Sequence, residues 1–101
     1  MNLTLNEYQS LSAETDGNHP VAYYYLGLSG EAGEVADLQK RVLRGDEDPG
    51  DLVKELGDVL WYVSAIARKN NVSLETIAEE NLRKLRKRQI TGTIKGRGSD
   101  R

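Results

Sequence analysis

The stretch GLSGEAGEVAD, residues 27–37, decides how this chain folds, because it sets two acids, Glu31 and Glu34, inside a helical pattern of apolar residues. Each helical residue is rotated by about 100° from the last, so one apolar stripe is predicted along this helix. Glu31 falls in the middle of the stripe and is predicted to face inward, whereas Glu34 projects toward its edge. The stripe comprises Tyr24, Leu28, Val35, Leu38 and Val42.

A second pair of acids, Glu55 and Asp58, lies in ELGDVLWY, residues 55–62, along one side of another apolar arc. An ionised carboxylate removed from water is costly unless a cation or strong donors compensate. Two facing helices with four carboxylates would form an oxygen site of the kind that Mg²⁺ prefers, with substrate phosphates completing its shell. The alternative is that these acids are solvated and pair with basic residues of the same helices. The candidate basic partners are Lys40, Arg41 and Lys54.

Four helices are predicted and no strand pattern of useful length occurs, so the expected class is all-α. The predicted helices cover residues 3–15, 20–44, 51–69 and 73–88, with Asp51 and Ser73 as N-caps of the last two. Gly45 is predicted to take the left-handed conformation after the second helix. We expect one domain, 1–101, with a glycine-rich basic tail at 89–101.

The apolar positions of the last two helices give the predicted core. Glycines interrupt the second and third helices, and they would allow close helix approach beside the acids or mark an ordinary tight crossing. These glycines are Gly27, Gly30, Gly33 and Gly57. The predicted apolar positions are Leu52, Leu56, Val59, Leu60, Val63, Ile66 and Ala67 on the third helix, and Leu74, Ile77, Ala78, Leu82 and Leu85 on the fourth.

Composition limits the kinds of site that the chain can form. It has 101 residues, a formal net charge of -2 and a sequence pI near 5.4. With no cysteine and a single histidine, His19, thiolate and histidine-rich metal sites are excluded, so a metal must be bound by oxygen. No apolar run approaches the roughly 18 residues that span a bilayer, and we expect a cytoplasmic protein with no membrane partner. Basic residues crowd the C-terminal end, but no DNA-binding signature occurs, so nucleic acid is not an expected partner.

The two acid-bearing stretches, NLRKL at residues 81–85 and the glycine-rich end closely resemble the MazG-type all-α nucleoside triphosphate pyrophosphohydrolases, whose pattern is ExxE followed by ExxD. The resemblance implies a four-helix MazG-like bundle completed by dimerisation, as a homodimer or a tetramer built from dimers. It also implies magnesium-dependent cleavage of a nucleoside triphosphate between the α- and β-phosphates, with Mn²⁺ as a substitute metal. The implied metal ligands are Glu31, Glu34, Glu55 and Asp58, and the implied phosphate contacts are Asn81 and Lys84, with Arg88 a further candidate.

Individual roles within this predicted site follow from position and chemistry. Glu34 is predicted also to orient or deprotonate the attacking water, because its edge position leaves an oxygen free, and Glu55 is the second acid with a catalytic role. Lys84 and Arg88 lie four residues apart and would stabilise the leaving pyrophosphate, unless they are ordinary solvated helix residues. Trp61 projects away from the apolar arc and is expected in a nucleotide pocket or at a dimer contact.

Two other classes of function stay open at this point. One is a non-catalytic helical dimer that senses nucleotides or binds another protein, against which the intact acid pairs argue. The other is a helical dimer that binds nucleic acid through its basic end, although aromatic residues are not interleaved with the basic ones there. The favoured interpretation is a hydrolase acting on acid anhydrides in nucleotide metabolism, with the preferred base and sugar left open.

Overall fold

The computed structural model of the chain describes residues 1–46 and 48–92, and it contains four α-helices in that part of the chain. No strand occurs among these residues, so the all-α prediction is confirmed. None of the helices in the described ranges is both long enough and apolar enough to cross a membrane. The helices are α1 (Leu5–Ala13), α2 (Val21–Leu43), α3 (Leu52–Lys69) and α4 (Leu74–Thr91), with a short 3₁₀ turn at Pro49–Asp51 before α3.

The N-cap hydrogen bond predicted for α4 is observed, whereas the one predicted for α3 is not. Ser73 caps α4 as predicted, because its side chain accepts a hydrogen bond from the backbone N–H of Thr76. The prediction that Asp51 caps α3 is wrong, since Asp51 lies in the 3₁₀ turn and makes no side-chain cap bond. Asp48 accepts from the backbone N–H of Gly50 instead, so the polar turn forms its own cap before α3 begins.

The helix ends follow the glycines. Gly45, after α2, has a φ of 82° and therefore takes the predicted left-handed conformation. The fourth helix ends at Thr91 rather than near Arg88, and its C-cap is Gly92 with a φ of 75°. Nothing between those positions breaks the helix, so residues 89–91 of the predicted tail are helical. Residues 93–101 of that tail lie outside the described residues.

Helices α2 and α3 form the main contact of the structure, and α1 packs across α3. The predicted stripe of α2 is confirmed, because Tyr24 and Leu38 are buried and its other members are half-buried. On α3 the buried residues are small: Ser64, Ala65 and Ala67. One of them, Ser64, faces α1, where its hydroxyl lies 3.1 Å from that of Ser12. So few buried side chains leave little core within the described residues.

Part of the predicted core is exposed, which corrects the sequence-based assignment. Leu52, Leu56 and Leu60 of α3 are exposed, as are Ile77 and Leu82 of α4, because no element within residues 1–46 and 48–92 covers them. Other apolar side chains are even more open to solvent. Leu26 of α2, Val53 of α3 and Ile90 of α4 are 72%, 78% and 86% exposed.

Helix α4 is attached to the rest of the chain mainly through its first turn. Glu75 and Asn6 exchange backbone-to-side-chain hydrogen bonds of 3.2 and 3.1 Å. Gln9 of α1 accepts from the backbone N–H of Leu74 and donates to the carbonyl of Val72. The start of α4 is therefore fixed on α1, whereas most of its remaining length packs on no other helix of the described chain.

Candidate metal centre

Three carboxylates from two helices converge at one point of the α2–α3 contact. Glu31 comes from α2, while Glu55 and Asp58 come from α3, where their spacing of three places both on one side of the helix. One carboxylate oxygen from each residue lies within 4.8 Å of the others. Glu31 and Glu55 are half-buried, whereas Asp58 is exposed. The structure thus brings together three of the four acids that the sequence singles out, and these three are called the acid cluster below.

The fourth acid, Glu34, does not belong to the acid cluster. Its side chain is exposed on α2, and its oxygens are not among those that meet within 4.8 Å. Its negative charge still raises the pKa of Glu31, so it lies close enough to act on the cluster electrostatically. Glu34 therefore borders the site without sharing its centre.

The surroundings of Glu31 disfavour its ionised form. Burial is the largest cause that raises its pKa, and the charges of Asp58, Glu55 and Glu34 raise it further, in that order. Like charges held this close repel one another, and partial removal from water strengthens the repulsion. A bound cation would remove this cost.

No basic side chain within residues 1–46 and 48–92 forms an ion pair with any of the four acids. Two of the basic residues considered as alternative partners, Lys40 and Arg41, lie 3.3 and 3.4 Å from the carboxylate of Asp37 instead. The acid cluster offers carboxylate oxygens alone, which is the donor set of Mg²⁺ and Mn²⁺ sites in proteins. The residues present therefore fit a hard divalent cation.

A cleft of 370 Å³ opens beside the acid cluster, a size within the range of small-molecule sites. Glu31 and Asp58 form its acidic side. The remainder of its lining is a hydroxyl group and three aromatic rings, contributed by Thr15, Tyr23, Trp61 and Tyr62. A ligand with a charged group at one end and a flat ring at the other would match these two kinds of surface.

The aromatic residues of the cleft contact one another and are held in place. Trp61 lies edge-on to Tyr62 with ring centroids 5.0 Å apart, and nearly parallel to the buried ring of Tyr24 at 6.4 Å. The Tyr62 hydroxyl donates to that of Tyr23 at 3.5 Å. This hydrogen bond, followed by burial and by the nearby negative charges, raises the pKa of Tyr62 to about 12, so its phenol stays protonated at neutral pH.

Gly27 is required where the ring of Tyr62 crosses α2. A Cβ atom at position 27 would lie 2.2 Å from Cε1 of Tyr62, far inside van der Waals contact. For Gly27 the prediction of close helix approach beside the acids is confirmed. At Gly30, Gly33 and Gly57 a Cβ would have no atom of the described chain within 4 Å, so close approach inside one chain does not explain these three.

The residues predicted to bind phosphate on α4 do not line the cleft of their own chain. Asn81 and Lys84 lie in a separate surface groove with Ile77 and Glu80. Arg88 is only 6% exposed, and its Nε and Nη2 atoms have no hydrogen-bond partner within the described residues. In a single chain Asn81 and Lys84 therefore lie on a surface apart from the acid cluster, and Arg88 is buried outside their groove.

Thr15 lines the cleft although nothing in the sequence marks it or the residues around it as part of a site. The indole N–H of Trp61 donates to Oγ1 of Thr15 at 2.7 Å, although the two residues are 46 positions apart. Asp16, the next residue, binds Arg68 of α3 at 2.6 Å. In the sequence Thr15 and Asp16 belong to an ordinary polar turn. The one signal that the turn contacts another element is Trp61, which projects away from the apolar arc of its own helix.

Comparison with known proteins agrees with the site. The sequence profile of the MazG nucleotide pyrophosphohydrolase domain matches residues 21–92, which contain all three residues of the acid cluster. The Gene 37 protein of Mycobacterium phage L5 is 40% identical over 96 residues, covering 89% of this chain and 84% of that protein. No solved structure shows significant similarity. The chain therefore belongs to the MazG nucleotide pyrophosphohydrolase family.

Proposed function

We propose that this protein hydrolyses nucleoside or deoxynucleoside triphosphates to the monophosphate and pyrophosphate with the help of Mg²⁺. Family membership supports nucleotide pyrophosphohydrolase activity. The observation that carries the proposal is the acid cluster at the edge of an aromatic-lined cleft, because its carboxylates have no cationic partner among the described residues.

The metal would be held by Glu31, Glu55 and Asp58, with Glu34 beside them. When bound, Mg²⁺ or its substitute Mn²⁺ would neutralise phosphate charge and make a water molecule more acidic. Three carboxylates whose oxygens lie within 4.8 Å of one another favour such a cation. The same charges would repel a triphosphate that arrives without metal.

Glu34 and Glu55 are the proposed catalytic carboxylates. Water attacks the α-phosphorus, a new P–O bond forms, and the bond from that phosphorus to the oxygen bridging the β-phosphate breaks. The electron pair of that bond leaves with pyrophosphate, and the proton of the attacking water passes to a carboxylate. Glu34 suits this proton transfer, because it lies outside the acid cluster and is exposed, which leaves its oxygens available.

The aromatic side of the cleft would hold the base. Stacking of a base on an aromatic ring is worth about 1–3 kcal/mol and tolerates any base. Trp61 lines the cleft and is fixed by Thr15, so it is the proposed stacking surface. This arrangement supports a role of Trp61 in a nucleotide pocket, which we propose in preference to a dimer contact.

We propose further that the protein works as a homodimer or a dimer of dimers. Many apolar residues on α2, α3 and α4 are exposed, and α4 packs little on the other helices of the described chain. Burial of such surface against a second copy would stabilise both chains. Asn81, Lys84 and Arg88, which do not reach the cleft of their own chain, would then contact phosphates in the cleft of a partner.

The experiment that tests the function is release of pyrophosphate from each common ribo- and deoxyribonucleoside triphosphate, first with Mg²⁺ and then with Mn²⁺. We expect turnover that stops with EDTA and with Glu55→Gln, while the circular dichroism of the variant matches the wild type. Nucleotide binding without turnover would instead support a non-catalytic nucleotide-sensing or protein-interaction dimer. Steeply salt-dependent DNA binding without hydrolysis would support the nucleic-acid alternative.

A further inference from the structure

Asp16 is the most heavily bonded acid of the described chain, and the mechanism above does not use it. Its side chain is 4% exposed. Oδ2 accepts from Nη2 of Arg68 on α3 at 2.6 Å, and Oδ1 accepts from the hydroxyl of Tyr24 on α2 at 2.6 Å. The backbone N–H of Asn18 also donates to Oδ1, at 2.9 Å. One carboxylate thus joins the α1–α2 loop (residues 14–20) to both helices that carry the acid cluster.

The bonds around Asp16 form a closed network. The Tyr24 hydroxyl, while donating to Asp16, accepts from the backbone N–H of His19 at 2.9 Å. Lys69 donates to Oδ1 of Asn18 at 3.0 Å. Burial alone would raise the pKa of Asp16, but the hydrogen bonds and the Arg68 charge outweigh it and hold that pKa well below its usual range. The carboxylate is therefore ionised throughout the neutral range.

The network ends beside the cleft. Thr15, adjacent to Asp16 in the chain, accepts the indole N–H of Trp61 at 2.7 Å and donates its own hydroxyl proton to the carbonyl of Ser12 at 2.7 Å. Both hydrogen-bonding roles of this hydroxyl are thus occupied. The position of Thr15 depends on where the α1–α2 loop is held, and the indole of Trp61 is anchored to Thr15.

We propose that Asp16 is a positioning residue, which holds the α1–α2 loop against α2 and α3 so that Thr15 fixes Trp61 as a stacking surface beside the acid cluster. This inference rests on the proposed function, in which the cleft binds a nucleotide. Asp16 touches neither the acid cluster nor the cleft. Its loss should therefore alter the aromatic side of the site and leave the metal side intact.

The chain contains one tryptophan, so its fluorescence reports on Trp61 alone. The test compares Asp16→Ala with Asp46→Ala, which removes an exposed acid that pairs with Arg44 and does not line the cleft. Acrylamide quenching of Trp61 and Mn²⁺ titration calorimetry are measured on the protein without nucleotide. Steady-state KM and kcat for the best triphosphate are measured in parallel.

For Asp16→Ala we expect quenching of Trp61 to increase about twofold and KM to rise about tenfold, the loss expected when a stacking surface is misplaced. The dissociation constant of Mn²⁺ and the value of kcat should change less than about threefold, since the acid cluster keeps its place. Asp46→Ala should match the wild type in all four quantities.

Two further variants keep the test decisive if Asp16→Ala does not fold. Asp16→Asn keeps the acceptor for Tyr24 and Asn18 but turns a donor toward Arg68, so it should give a smaller change of the same kind. Thr15→Val removes the acceptor of Trp61 while leaving Asp16 intact, and it should reproduce the increases in quenching and KM.

The proposal is overturned if quenching and KM in the Asp16 variants match those of Asp46→Ala, or if Mn²⁺ affinity falls as much as KM rises. The second result would mean that Asp16 only supports the fold. If the wild type shows no turnover, the proposed function fails, but increased quenching with unchanged Mn²⁺ affinity would still support the positioning of Trp61 by Asp16.

Discussion

Replacing Glu31 with glutamine should stabilise the metal-free protein and destabilise the metal-bound protein relative to wild type. The carboxylate oxygens of Glu31, Glu55 and Asp58 lie within 4.8 Å of one another. At that distance two unit charges repel by about 0.9 kcal/mol in bulk water. Removing the charge of Glu31 relieves two such repulsions, and screening at physiological ionic strength reduces the gain to about 1 kcal/mol.

A gain of about 1 kcal/mol corresponds to a rise in melting temperature of roughly 4–8 °C for a domain of this size. The assay is thermal unfolding followed by circular dichroism in EDTA and again with excess Mn²⁺. Wild type should gain about 2.7 kcal/mol when free Mn²⁺ is 100 times its dissociation constant, whereas Glu31→Gln should gain little. The order of stability of the two proteins should therefore reverse when metal is added.

The pH dependence of stability is a second test of whether the Glu31 charge destabilises the metal-free protein. Because the pKa of Glu31 is raised in the folded state, its contribution to stability is highest where it is protonated and is lost as pH rises through the folded pKa. In EDTA the stability advantage of Glu31→Gln over wild type should therefore be small at about pH 4 and grow toward neutral pH. Glu79→Gln, which removes an exposed acid of α4, should show no metal-dependent reversal.

A Glu31→Gln variant that is less stable than wild type in EDTA and gains as much stability from Mn²⁺ would contradict this prediction. That outcome would mean that Glu31 is stabilised by partners within the protein and that it does not bind the metal.

Three further predictions concern packing, assembly and substrate contacts. Gly27→Ala should lower the free energy of unfolding by about 1–3 kcal/mol, because the added methyl group overlaps the ring of Tyr62. In a Tyr62→Ala background the same change should cost much less, which a double-mutant cycle of urea unfolding would measure. Equal costs in both backgrounds would exclude this contact as the cause. Val53→Glu, at a site 78% exposed in one chain, should shift sedimentation toward the monomer, and unchanged sedimentation would remove Val53 from the interface. Lys84→Met should lower kcat/KM about tenfold to a hundredfold through loss of a charge-assisted phosphate contact. Lys54→Met should leave kcat/KM unchanged. Similar values of kcat/KM for the two variants would argue against a phosphate contact by Lys84.

The parts of the fold that the sequence predicts are those set by local chemistry. The all-α class, the stripe of α2, the left-handed Gly45 and the Ser73 cap depend on periodicity and on residues close in the chain. The wrong prediction of an N-cap hydrogen bond at Asp51 shows the limit of local sequence patterns, because Asp48 and Asp51 both suit an N-cap. Only the 3₁₀ turn between them decides which one forms the bond.

Contacts that depend on long-range packing were not predictable. Periodicity predicts that Leu56 and Leu60 face inward, but burial depends on whether another element covers them, and no element of the described part of the chain does. Ser64 is fully buried although it is polar, because its hydroxyl lies 3.1 Å from that of Ser12 on α1. A hydrophobic pattern contains no information about such a pairing.

In the candidate site too, features set by local spacing are predictable from the sequence, whereas long-range contacts are not. The spacing of three on each helix predicts that Glu55 and Asp58 share a side, and the structure brings Glu31 to them. The exposure of Glu34 agrees with its position at the edge of the stripe. The Asp16 network joins residues that are 52 positions apart, so only the packed fold shows it.

The central claim is that Glu31, Glu55 and Asp58 together bind the catalytic divalent ion. Its most direct test is a crystal structure with Mn²⁺ and a non-hydrolysable triphosphate, with the metal located by anomalous scattering. The account predicts a peak about 2.2 Å from oxygens of these three carboxylates, in contact with the phosphates. A peak bound elsewhere on the chain, or phosphates seated away from these acids, would contradict it.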